Sequence, residues 1–174
     1  MAVVETKRLV LRELVPADGR RMFDLYSDPQ TMAFMGPPPR SVQEESENIA
    51  RHAERYYRRQ GYGLWAVVAK GSDEIIGRCG LLRFELRSEP QTEISYLLAR
   101  QSWGNGYATE AAGGVLGFAF GTLKLDRLFA LIHPGNRPSV RVAERLAFGS
   151  AGVVEYKQFG WVELYRRDRT AADA

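Results

Sequence analysis

Residues 8–13 alternate in part, with Leu9 and Leu11 set against Arg8, Val10 and Arg12, which predicts a first strand. Pro16 suits the first turn of a following helix, in which Met22, Phe23 and Tyr26 recur at helical spacing until Asp28-Pro29 stops it. Gly36-Pro37-Pro38-Pro39 then breaks the chain. Ser41 and Glu44 have the spacing of a capping box, and Ile49, Ala53 and Tyr56 mark one face of a second helix that ends near Gly61. From Tyr62 the period shortens to that of strands. Leu64–Ala69, 74–84 and 92–98, separated by turns at Gly71-Ser72-Asp73 and Ser88-Glu89-Pro90, predict an antiparallel meander.

A helix over 107–122 carries Ala108, Ala112, Val115, Ala119 and Leu123 along one stripe, and a strand over Arg127–Ile132 follows it. Strand, helix and strand in that order imply a right-handed crossover with local parallel pairing. A short helix over 137–146 leads to a hairpin formed by 153–156 and 159–166, and the end of the chain, 170–174, is expected to fray. The sum is one α/β (α+β) domain with a mixed central sheet of about seven strands and four helices.

Composition narrows the function without changing this layout. The 174 residues make one domain, 45% hydrophobic and 26% charged, large enough to bury a single core. The net charge of +3 comes from 24 basic and 21 acidic residues mixed along the chain, so no nucleic-acid surface is expected. The one cysteine, Cys79, sits among apolar neighbours. It permits no intramolecular disulfide and no cysteine-based zinc site, and a reducing cytoplasmic setting fits it. Residues 1–11 carry Glu5, Lys7 and Arg8 with no long apolar run, so neither a signal peptide nor a membrane span is expected.

The candidate chemistry starts where the last strand of the meander gives way to the longest helix, at Trp103-Gly104-Asn105-Gly106-Tyr107-Ala108-Thr109-Glu110. Glycines there permit positive φ and bring backbone N–H groups close to an anion, and the helix N-terminus adds partial positive charge. A tight connection alone also explains two glycines. No Lys-Ser/Thr pair follows them and no third glycine closes a dinucleotide fingerprint, which argues against kinase and dehydrogenase loops.

This stretch resembles the acyl-CoA loop of the GCN5-related N-acetyltransferases, Gln/Arg-x-x-Gly-x-Gly/Ala, with Trp103 in place of the usual Gln or Arg. The longer string over 103–111, together with a Thr-x-Arg-Leu-x-Leu-Arg start at Thr6 to Arg12, is similar to the branch that holds the ribosomal-protein N-terminal acetyltransferases. The resemblance implies a GNAT fold over 1–170 in which the fourth and fifth predicted strands, 92–98 and 127–132, splay apart. It implies acetyl-CoA as co-substrate, bound by Trp103, Gly104, Asn105, Gly106, Tyr107, Ala108 and Thr109 and by the main chain of Leu97, Leu98 and Ala99. It also implies an amine acceptor, either a protein N-terminus or a small molecule, with no metal, nucleic acid or membrane partner. Pairing of two copies through the last strands is compatible with it.

Asn136-Arg137-Pro138-Ser139 resembles the family's Asn-x-x-Ser/Ala segment, which implies that Asn136 contacts the pantetheine; a helix cap is the competing reading. The tyrosine acid that many members carry seven residues beyond that asparagine is Ala143 here, and Ser139 is the candidate acid instead. Glu93 is the candidate base, with a solvent-facing strand position as its alternative and His133 in reserve; the glutamate of some relatives is Leu131 in this chain. A non-catalytic acyl-CoA-binding or sensing domain is the other class of function compatible with the missing tyrosine. Acceptor choice is expected to rest on 35–40 and on the turn near 157–160.

Overall fold

The computed structural model describes residues 2–156 and 159–173. Its strands are β1 (Ala2–Glu5), β2 (Leu9–Glu13), β3 (Leu64–Ala69), β4 (Glu74–Leu86), β5 (Glu89–Leu98), β6 (Arg127–Ile132), β7 (Gly149–Glu155) and β8 (Trp161–Asp168). The helices are α1 (Gly19–Tyr26), α2 (Val42–His52), α3 (Tyr107–Gly117) and α4 (Arg137–Arg145). Both α2 and α3 run on through a π-helical turn, Ala53–Tyr57 and Phe118–Thr122. All eight strands share one mixed sheet in the order β1-β2-β3-β4-β5-β6-β8-β7. This is the expected α+β architecture with one strand more than the pattern predicted. The extra strand, β1, is four residues long and pairs along the outer edge of β2, too short to show a period.

The turn between β4 and β5 lies earlier than predicted. Arg87 and Ser88, at φ 52° and 67°, make a two-residue connection, and Pro90 belongs to β5 opposite Glu85. The Ala99 amide bonds to Ile76 O, so odd-numbered residues of β5 exchange hydrogen bonds with β4 while even-numbered ones point the other way. Pro90 therefore lacks its N–H on the side where β4 asks for none. The last hairpin is longer than predicted, and Ala171–Asp173 forms a short 3-10 turn in which Asp173 accepts from the Thr170 amide and pairs with Arg167 at 2.6 Å. Ala174 lies outside the described residues.

Both faces of the sheet are covered, which explains why β3 reads as a continuous apolar run. Trp65 and Val67 pack under Ala111, Ala112, Val115 and Ala119 of α3 and its extension. Ala66 and Val68 face the other way, onto Met22 and Leu25 of α1 and Ile49 of α2. Cys79 is fully buried in the first of these layers, and burial pushes its thiol well above its ordinary range, so it packs as a small apolar residue.

Register divides the sheet at one place. β4 and β5 share ten register pairs and β6 and β8 share six, but the parallel neighbours β5 and β6 share one, Glu93 with Phe129. Beyond it the two strands diverge and leave a gap.

Candidate active site

The glycine turn stands at the α3 side of that gap. Gly104 and Gly106 lie at φ 77° and 76°, in the left-handed region that a side chain disfavours. Gly106 caps α3 without a side chain, and the first intrahelical bond at its start runs from the Glu110 amide to Gly106 O at 3.0 Å. The amides of Tyr107, Ala108 and Thr109 thus have no helical acceptor and carry the positive end of the helix dipole, a combination suited to an anion. Trp103 sends its indole N–H back to Leu98 O at 2.8 Å, which ties the turn to the end of β5. Asn105 shapes the turn itself, its Nδ2 donating to Trp103 O at 3.0 Å.

A long-range latch fixes this turn. Glu110 accepts from the Thr6 hydroxyl and the Arg8 amide, both at 2.7 Å, and from Arg8 Nε at 2.6 Å. Arg8 also donates to Asn105 O at 3.0 Å and stacks 4.5 Å over the Tyr107 ring. Desolvation alone would raise the Glu110 carboxyl, but the Thr6 and Arg8 donors outweigh it and hold the group below its usual range. The motif at Thr6 and Arg8 and the motif at 103–111, separate in the sequence reading, are two halves of this one contact.

In the gap, Leu98, Tyr96 and Ile94 turn their main-chain groups toward β6, whereas Leu97 and Ala99 bond to β4. The Leu98 N–H is therefore the group of the Leu97-Leu98-Ala99 segment that faces the opening. Asn136 caps α4, its Oδ1 accepting from the Ser139 amide at 3.2 Å, which leaves its amide nitrogen available to a ligand. Tyr96, a residue that the sequence reading did not single out, donates to Ser139 O at 3.0 Å. Burial pushes its hydroxyl well above the ordinary range and the neighbouring Ser139 offsets only part of this, so Tyr96 is suited to positioning Ser139 rather than to releasing a proton. Ala143 is buried in the core and offers no acid.

On the α1–α2 side lies a cleft of about 640 Å³. A smaller cavity of about 80 Å³, which Tyr96, Asn136 and Ser139 help to line, opens into it past Phe34, Met35, Glu93, Ser95, Leu131 and His133. Glu93 is 8% exposed, so it is a buried carboxylate at the junction and not the solvent-facing strand residue that its neighbours allowed. His133 is also at the junction, but its Nδ1 accepts from the Gly135 amide at 3.0 Å. The neutral ring then carries its proton on Nε2 and has no open lone pair for an amine proton, which works against its use as a base. Met35, the three prolines and Arg40 line the cleft, as do Tyr156 and Phe159; Lys157 and Gln158, in the turn expected to choose the acceptor, lie outside the described residues.

The profile of the acetyltransferase (GNAT) domain family matches residues 8–149. YkkB of Bacillus subtilis (strain 168) is 35% identical over 143 residues, 81% of each chain. An uncharacterized N-acetyltransferase of Bacillus licheniformis, p20, is 27% identical over 154 residues, 88% of this chain and 86% of the relative. RimL, a ribosomal L7/L12 alpha-N-protein acetyltransferase solved in complex with coenzyme A, superposes with a TM-score of 0.77 over 97% of this chain and 98% of its own at 15% identity, a likeness of fold.

Proposed function

Since this chain belongs to the GNAT acetyltransferase family, we propose that it transfers an acetyl group from acetyl-CoA to a primary amine by direct attack, with a peptide or protein N-terminal α-amine as the favoured acceptor. The observation that carries this reading is the uncapped, two-glycine start of α3 placed at one mouth of the β5–β6 gap, whose other mouth is the cleft beside Glu93. A diphosphate meets the amides of Tyr107, Ala108 and Thr109, and the pantetheine arm passes Leu98 and the Asn136 side chain to bring the thioester to the junction.

There the amine nitrogen attacks the thioester carbon. The oxygen that gains charge accepts from the Leu98 N–H, a donor already fixed by the strand. The ammonium proton leaves to Glu93, directly or through one water, the carbon–sulfur bond breaks, and the thiolate takes a proton from the Ser139 hydroxyl, which recovers one from water in the same step. A thiol with a pKa near ~8.5 leaves with little help, so a weak acid suffices. The buried Cys79 offers no nucleophile for an acyl-enzyme. An α-amine with pKa ~8 is about a tenth neutral at pH 7, whereas a lysine amine at ~10.4 is neutral to well under a thousandth, which favours the former where one buried carboxylate is the base.

Two measurements test the reading. Gly106→Glu, which puts a carboxylate beside the diphosphate at a left-handed position, is expected to remove coenzyme A binding; unchanged affinity would place the diphosphate elsewhere. Turnover over a panel of amines is expected to show faster acetylation of peptide N-termini than of matched lysine side chains. Binding of acetyl-CoA with no transfer to any acceptor would leave a sensing domain as the function.

A further inference from the structure

Arg78 stands on β4, inside the sheet, with its side chain half-buried and lining the large cleft. A guanidinium carries five N–H donors and stays charged at any physiological pH, so a buried one is ordinarily paired. Among the described residues the Arg78 side chain makes no hydrogen bond and no ion pair, and its contact is with a ring, its Cζ 5.0 Å from the centre of Tyr26. The Tyr26 hydroxyl, which also lines the cleft, is buried and has no hydrogen-bond partner among the described residues. Two orphaned donors thus meet on one wall of the cleft. Burial raises the Tyr26 hydroxyl to about 12, so it remains a donor throughout the working pH range.

We propose that Arg78 and Tyr26 form a carboxylate-binding subsite, and that the acceptor is a peptide N-terminus carrying a carboxylate within its first three residues. This deepens the amine acetyltransferase reading and rests on it for the identity of the amine end. A carboxylate uses the guanidinium fork and a phenol together, and its single charge suits a cleft whose other ionisable lining includes Glu44, Glu45 and Glu93. A dianionic phosphate meets more repulsion there. Glu44 accepts from the Arg40 amide at 2.6 Å and Glu45 from Asn48 at 3.3 Å; the charge of Arg78 acts on Glu45, but neither carboxylate is hydrogen-bonded to the guanidinium, whose donors stay open.

Spacing fixes the acceptor's length. Arg78 is opposite Leu97 and Glu93 is opposite Leu82, so the two lie four positions apart along neighbouring strands, about 13 Å between their Cα atoms along the strand direction. Both point to the same face, with Ser95 between them. Both side chains line the same cleft, and an extended peptide advances about 3.5 Å per residue. An amine at Glu93 then sets the side chain of the second or third residue, or the C-terminus of a dipeptide, against Arg78.

The test is equilibrium binding to the protein loaded with coenzyme A, using tripeptide amides that differ in having aspartate or asparagine third, with a dipeptide in free-acid and amide forms as a second arm. The aspartate or free-acid member of a pair is expected to bind at least tenfold more tightly. Arg78→Met is expected to abolish that preference without changing the affinity of the asparagine peptide, and Tyr26→Phe to reduce it several-fold. Equal binding of the twins by the wild type, or a preference that survives Arg78→Met, overturns the subsite. Should Arg78→Met not fold, Arg78→Lys, which keeps the charge and loses the fork, and Tyr26→Phe carry the same test. A phosphoserine tripeptide that binds more tightly than the aspartate one overturns the carboxylate assignment. Acetylation separates this from the function itself: equal transfer rates to both twins sink the subsite and leave the transferase, while selective binding with no transfer supports the subsite and sinks the transferase.

Discussion

His52 accepts from the Leu64 amide through Nε2 at 2.8 Å and stacks on Tyr56, so its neutral form is built into the join between α2 and β3. Burial first, and then the charges of Arg78 and Arg55, lower its pKa from 6.5 to about 4. Between those values the unfolded chain takes up a proton that the folded chain refuses. The stability contributed is complete above about pH 6.5 and is lost as pH falls from 6.5 toward 4, on the order of 2–3 kcal/mol across the window. Urea unfolding at pH 7.5 and 4.5 should show this loss, and His52→Gln, whose amide oxygen still accepts from Leu64, should flatten it. Parallel curves for the two proteins would refute the assignment. At the junction, Glu93→Gln keeps shape and removes the proposed base, so kcat should fall by about 10²-fold or more while coenzyme A affinity holds. A larger fall at low pH than at high pH would mark Glu93 as the proton acceptor, because at high pH solvent hydroxide takes the ammonium proton in its place. The sequence named Glu93 as the candidate base but left open whether it faces solvent, and it did not single out His52: a glutamate in a strand and a histidine on a charged helix face do not announce burial, which depends on what the fold lays over them.

Among elements, the latch from β2 and its preceding turn to α3 shows what periodicity can and cannot reveal. The helix stripe and the β3 run follow from local spacing and were legible, as was the Ser41 cap, whose hydroxyl accepts from the Glu44 amide at 3.1 Å. Thr6 and Glu110 are 104 positions apart, and no period connects them. β1 escaped because four residues cannot display alternation, and the β4–β5 turn was misplaced because Pro90 reads as a turn residue until the direction of its missing N–H is known. The 18% exposed Glu110 side chain and its charged donors predict that Glu110→Ala costs about 1–3 kcal/mol of stability. The same substitution frees Asn105 and the glycine turn from Arg8, so coenzyme A affinity should fall with it. Calorimetric titration of coenzyme A alongside thermal melts checks both, and a stability loss with unaltered affinity would show that the latch braces the fold without shaping the phosphate turn.

For the molecule as a whole, the fold class and the position of the glycine turn were readable because both lie in chain order. The cleft was not, since it is assembled from α1, α2, β4, β5 and the segment after β8's partner strand, which meet only in three dimensions. Tertiary assembly also explains why the sequence did not single out Arg78, whose place on the cleft wall depends on α1 and α2 packing over β4. The sheet is two blocks, β1 to β5 and β6 with β8 and β7, and the boundary is the single Glu93–Phe129 pair. Hydrogen exchange should find the amides of Leu98 and Tyr96 less protected than those of Leu97 and Ala99, which bond to β4, and coenzyme A should slow the first pair selectively. Uniform slowing across β5 would mean that the blocks already move as one. With so few rungs at this seam, a coenzyme A bound as proposed would do mechanical work as well as chemical: its amide-bearing arm would stand in for a missing ladder, clamp the two halves together, and make the loaded protein the stiffer of its two states.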